Sequence, residues 1–188
     1  MSPTQVRIKK VSRIFRGLFQ VLFLAVPVVH ILAWIYAPAS IDISGNLGFL
    51  VSVVPQGVKV LHPLTMTTRI IGFLVSLPPI IFIECILYFL IKLFNLYTQG
   101  EIFSAQNVRY IKKTGYSLLW TQITSILCNG ALSAILSWGN PHGSGTRSLI
   151  LTILPINITV ILTAFLIILI SWIMAEGCRL REEQQLTI

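Results

Sequence analysis

Glu84 is the only acidic residue deep inside a long apolar stretch of this 188-residue chain, and chemistry within the chain is sought there first. A carboxylate in hydrocarbon is costly unless it is protonated or paired. Gly72, Ser76 and Glu84 recur at multiples of four, so on a helix they share a face that should meet other helices rather than lipid. Gly72 and Ser76 form a small-xxx-small pair suited to close approach. Ser117, Thr121, Ser125, Asn129, Ser133 and Ser137 also recur every four residues, with Gln122 and Thr124 beside them, which marks a buried polar seam. Depth counted at about 1.5 Å per residue sets Glu84 level with Gln122 to Ser125. The spacing therefore predicts a hydrogen bond from Glu84 to Gln122, Thr121 or Ser125, with Asn129 further along the seam. The plain role of such a carboxyl is to tie two helices together; the functional one is to handle a proton or a cation. Pro78-Pro79 lies one turn before Glu84, where a kink and freed carbonyls are expected. Broken helices of this kind build ion sites in transporters. Pro27 and Pro155 predict milder bends.

The other reactive residue types are scattered. His30, His62 and His142, and Cys85, Cys128 and Cys178, do not fall at common metal-ligand spacings. His30 reads as a satisfied core histidine and the cysteines as small buried hydrophobes. There is no P-loop, no G-x-G-x-x-G and no hydrolase-like constellation. The expectation is a protein without catalytic residues, cofactor or metal.

The elements that position these residues follow from composition. The chain is 55% hydrophobic and 11% charged, with a mean hydropathy of +0.83. A soluble domain is about 25% charged, so this chain could not cover its surface in water. Four stretches are long and apolar enough to cross about 30 Å of hydrocarbon, near 17–37, 70–91, 115–138 and 149–175. The first is too long for the apolar core of a cleaved signal. Gly139-Asn140-Pro141-His142-Gly143 separates the last two.

With four spans the N-terminal tail, the 92–113 connection and the 176–188 tail share one side. They hold eleven of the basic residues, against three (Lys59, Arg69 and Arg147) on the other. The bias predicts both termini in the cytoplasm. A basic cytoplasmic face beside anionic headgroups accounts for the net charge of +8 without nucleic acid.

Two connections are longer than tight turns. In the outside segment 38–69, Phe49 to Val54 and Val58 to Leu61 flank Pro55-Gln56-Gly57, which predicts a small β-hairpin. In the cytoplasmic segment 92–113, Gly100 breaks the chain, Ser104 caps a short surface helix, and Phe103 staples onto Val108. Arg109, Lys112 and Lys113 then share one face, set to meet headgroups or a partner. Beyond the fourth span the helix should continue through Glu176, Arg179 and Glu183, with Arg179 and Glu183 paired at i, i+4. The apolar ending at Leu186 is suited to packing or partner binding.

The run Leu96-Tyr97-Thr98-Gln99-Gly100-Glu101-Ile102-Phe103-Ser104, followed by Asn107-Val108, Ile111 and Gly115, resembles the hallmark of the bacterial domain of unknown function 2975 family. The ending Leu180-Arg181-Glu182-Glu183-Gln184-Gln185-Leu186-Thr187 is similar to that family's closing pattern. The resemblance implies a small four-span membrane protein of uncharacterised biochemistry. Its genes often neighbour a small helix-turn-helix regulator, which suggests such a regulator as a partner. The expectation is an all-α membrane protein, a four-helix bundle with a surface helix inside and a hairpin outside. Phe103, Arg109, Lys112, Lys113 and Leu186 would engage a cytoplasmic partner or a second copy. A small transporter or channel using Glu84 is the alternative.

Overall fold

A computed structural model of the chain describes residues 3–36, 64–101, 104–138 and 157–186. These form four helices, α1 (Pro3–Tyr36), α2 (Met66–Gln99), α3 (Ala105–Trp138) and α4 (Ile158–Leu186). There is no strand among the described residues. The expected hairpin at 49–61, the Phe103 staple and the bend at Pro155 lie outside them. All four helices are long and apolar enough to cross a membrane, so the fold is all-helical with four candidate spans.

The helices are longer than the apolar stretches alone suggest. α1, α2 and α3 have 34 residues each, or about 51 Å at 1.5 Å per residue, well beyond about 30 Å of hydrocarbon. The excess is built from polar and basic turns, such as 6–16 in α1 and 105–113 in α3. Hydropathy does not count these turns, yet helix propensity favours them. The expected loop at 92–113 therefore shrinks to the few residues between Gln99 and Ala105. The separate surface helix is a correction of the same kind: its residues are the first turns of α3. No breaker separates them from the span, because Gly115 sits inside α3 at a packing contact. Pro27, and Pro78 with Pro79, lie inside α1 and α2 without interrupting them.

Several helix ends are closed by named side chains. Thr65 caps α2, its Oγ1 accepting from the Thr68 amide at 3.3 Å. Asn157 caps α4 likewise through the Val160 amide at 3.3 Å, so the helix begins at Ile158. At the end of α1 the Arg69 guanidinium donates to the Ile35 carbonyl at 2.7 Å, satisfying one orphan acceptor. α4 continues to Leu186 as expected, with Arg179 bridging Glu176 at 2.8 Å and Glu183 at 3.5 Å.

The chain divides into two compact units. One comprises Met1–Leu24, Phe82–Trp120 and Asn157–Ile188, the other Ala25–Ile81 and Thr121–Ile156. In the first, Gly115 of α3 faces α4. A Cβ at Gly115 would stand 2.6 Å from Ile168 Cγ1 and 3.2 Å from the Ala164 carbonyl oxygen. Ala164 and Ile168 are buried there. Phe15 and Phe19 of α1 pack on Phe94 of α2 with ring centroids 5.4 and 5.5 Å apart. In the second unit Val26, Trp34, Ile80, Leu132 and Leu136 are buried. Large apolar side chains such as Leu24, Leu127, Leu162 and Ile173 are outward and exposed, as side chains facing lipid tails must be.

Gly115→Ala should destabilise the protein by about 1–3 kcal/mol, since the added methyl meets a branched, buried neighbour and backbone. Gly177→Ala, where nothing lies within 4 Å, should be neutral or stabilise by up to about 1 kcal/mol. Thermal unfolding of both variants in detergent checks the contrast.

Candidate functional site

Three places carry the polar chemistry of the described residues: the turn between α2 and α3, a trio inside the second unit, and Glu84.

The turn is fixed by its backbone. Gly100 has φ +93°, a conformation that favours glycine, and it ends α2 in a Schellman motif. The Gly100 amide donates to the Tyr97 carbonyl and the Glu101 amide to the Leu96 carbonyl, each at 3.1 Å. Ser104 caps α3 as expected, its Oγ accepting from the Asn107 amide at 3.3 Å. Asn107 is fully buried, and its Nδ2 donates back to the Glu101 carbonyl at 2.6 Å. Gly100, Glu101, Ser104 and Asn107, all among the residues that carry the family resemblance, thus bond the two sides of this corner. The first turns of α1 pack near it: Arg16 Nη1 donates to Asn95 Oδ1 at 2.9 Å, and the Thr98 hydroxyl donates to the Asn95 carbonyl at 2.7 Å.

On α3, directly after this corner, Arg109, Lys112 and Lys113 are exposed on one face while Val108 and Thr114 are buried. The geometry expected of the basic face is present. Lys113 Nζ lies 5.4 Å from the Phe89 ring centroid and Lys92 Nζ 5.5 Å from that of Tyr88, placing cations over aromatic faces. Phe103 lies outside the described residues; Leu186 ends α4 with its side chain outside them.

The trio joins α1 to α2. Trp34 Nε1 donates to Ser76 Oγ at 3.0 Å, Ser76 Oγ lies 3.1 Å from His30 Nε2, and the Ser76 hydroxyl donates to the Phe73 carbonyl at 2.9 Å. Ser76 has a single hydrogen, and giving it to Phe73 leaves its oxygen to accept from both rings. That arrangement puts the His30 hydrogen on Nε2. His30 Nδ1 is buried without a hydrogen-bond partner. The Trp34 ring fills the space over Gly72, where any Cβ would overlap it. The small-residue face of α2 is therefore used as predicted, but Gly72 and Ser76 are met by α1, not by the third span. The signal was present in the i, i+4 pair His30 and Trp34, which faces the i, i+4 pair Gly72 and Ser76.

Glu84 is the third place. Both carboxyl oxygens are buried and neither has a hydrogen-bond partner. Glu84 belongs to the first unit, and its expected partners Thr121, Gln122 and Ser125 belong to the second. The α3 seam itself is inward: Ser117, Gln122 and Ser133 are buried, and Thr121, Ser125 and Asn129 are half-buried. Along that seam the Thr124 hydroxyl donates to the Thr121 carbonyl at 3.2 Å and the Ser133 hydroxyl to the Gly130 carbonyl at 2.7 Å, each within its own helix.

A family model described as "Protein of unknown function (DUF2975)" matches residues 55–188. No curated protein and no solved structure matches the chain.

Ser76→Ala should cost about 1–2 kcal/mol, because it strands the Trp34 and His30 donors together. Ser76→Thr, which keeps the hydroxyl, should lose less. Thermal unfolding in detergent, with tryptophan fluorescence to follow Trp34, checks the order.

Proposed function

The chain belongs to the DUF2975 family of proteins of unknown function, and we propose that it acts without catalysis of its own, as an accessory or regulatory protein of a bacterial inner membrane. Its termini and the α2–α3 corner lie in the cytoplasm in this reading, by the distribution of basic residues. The observation that carries the proposal is the corner itself. A turn closed by Gly100, Ser104 and Asn107 holds an exposed row of Arg109, Lys112 and Lys113 in one orientation. A pre-organised surface loses little freedom on binding, which favours recognition over plain solvation. The row suits anionic headgroups and an acidic partner surface alike. The family resemblance makes a small helix-turn-helix regulator one candidate partner; a second copy of the chain is another.

A photo-crosslinker at position 109 should trap a protein in cells and lose it when Lys112 and Lys113 are changed to Glu. The same crosslinker at Leu166, an exposed apolar position of α4, should trap only lipid. Lipid adducts alone at both positions would reject the partner surface.

One observation favours a second reading, a small proton- or cation-coupled transporter or channel: the unpartnered buried carboxyl of Glu84. In proteoliposomes Glu84→Gln should then abolish transport while leaving the fold intact. Wild-type flux in that variant would remove the second reading and leave the first untouched.

A further inference from the structure

The polar groups inside the helices differ in how they are satisfied. Ser76, Thr114, Thr124, Ser133, Thr163 and Ser171 each donate to a carbonyl three or four residues back in their own helix. Trp34 and His30 Nε2 share Ser76. Glu84 is the exception among the described acidic residues: it is in mid-helix, with two buried oxygens that no donor reaches.

The charges that could compensate it are engaged or remote in sequence. Within the same unit the basic residues are Arg7, Lys9, Lys10, Arg13 and Arg16 on α1, Lys92 on α2, and Arg109, Lys112 and Lys113 on α3, with Arg179 and Arg181 on α4. Arg16 bonds Asn95, Lys92 lies over Tyr88, Lys113 lies over Phe89, and Arg179 pairs with Glu176 and Glu183. Among the described residues no basic nitrogen forms an ion pair with Glu84. A bare carboxylate in this position would be an unpaired charge inside hydrocarbon, which is costlier than carrying a proton at neutral pH. A metal ion needs several ligands, and no three His, Cys, Asp or Glu gather among the described residues. A lone carboxyl can hold a proton unaided.

We propose that Glu84 is a proton-binding site within the lipid-crossing part of α2, and that in its acid form it is the residue of this chain that a lipophilic carbodiimide modifies. In that reaction the carboxyl proton passes to one carbodiimide nitrogen and the carboxyl oxygen adds to the central carbon. The acyl group then migrates from oxygen to nitrogen, giving a stable N-acylurea. The whole reagent is added, nothing leaves, and nothing is oxidised or reduced. The proposal rests on α2 crossing the membrane and not on any transport activity.

Native membranes treated with dicyclohexylcarbodiimide at neutral pH should yield an α2 peptide heavier by one reagent molecule, with the adduct mapped to Glu84 by fragmentation. Glu84→Gln should lose it. A water-soluble carbodiimide with an added amine should mark the exposed Glu101, Glu176, Glu182 and Glu183 and spare Glu84. An unmodified Glu84 in the lipophilic arm overturns the proposal, as does equal marking by the water-soluble reagent. Slower modification in sodium than in choline would assign a cation in place of the proton. The mapping uses the wild-type protein, so it stands even if the Gln variant fails to fold. A variant retaining only Cys85, the residue beside Glu84, should resist a membrane-impermeant maleimide. Reaction there would show that the span, rather than the proton, is misplaced.

Discussion

Hydrocarbon offers no hydrogen bonds, and that constraint accounts for most of the local structure in this chain. Most polar groups described in the spans find a partner within the protein; the Glu84 carboxyl and His30 Nδ1 do not. Hydroxyls solve this singly, by donating to a carbonyl of their own helix, as Ser133 and Ser171 do at 2.7 and 2.6 Å. Rings cannot do so, and Trp34 and His30 instead converge on the one hydroxyl that can accept from both. The helix ends obey the same rule with other means: Thr65, Ser104 and Asn157 at the starts, Gly100 and Arg69 at the finishes.

Contact between helices follows a second rule. Lipid tails are as apolar as leucine, so burying leucine brings little gain in a membrane, and close packing has to supply the attraction. Both units pack large against small. Trp34 occupies the space left open by Gly72, and Ile168 that left by Gly115. Leu24, Leu127, Leu162 and Ile173 remain outside these contacts and exposed.

Legibility in the sequence tracks the range of the interaction. The four apolar helices, the Ser104 cap, the exposed row of Arg109, Lys112 and Lys113, and the helical tail through Arg179 and Glu183 depend on neighbours within a few residues, and the sequence contains them. Helix length was harder to read, because charged turns such as 105–113 look like loop to a hydropathy count although their residues form good helix. The pairing of faces was the least legible. Gly72 and Ser76 advertise a contact without naming its partner, and α1 supplies it through His30 and Trp34. Burial is no easier to read: the spacing places Glu84 on an inward face but does not reveal that both its oxygens lie buried without a partner.

The corner between α2 and α3 has a mechanical consequence. Its glycine, its cap and Asn107 bind the chain to itself on both sides of the bend. A push or twist applied to the first turns of α3 would reach α2 through these bonds as well as along the chain. Two of these bonds use the Ser104 and Asn107 side chains, so the coupling would survive changes in the side chains displayed on either arm but not changes at those two positions.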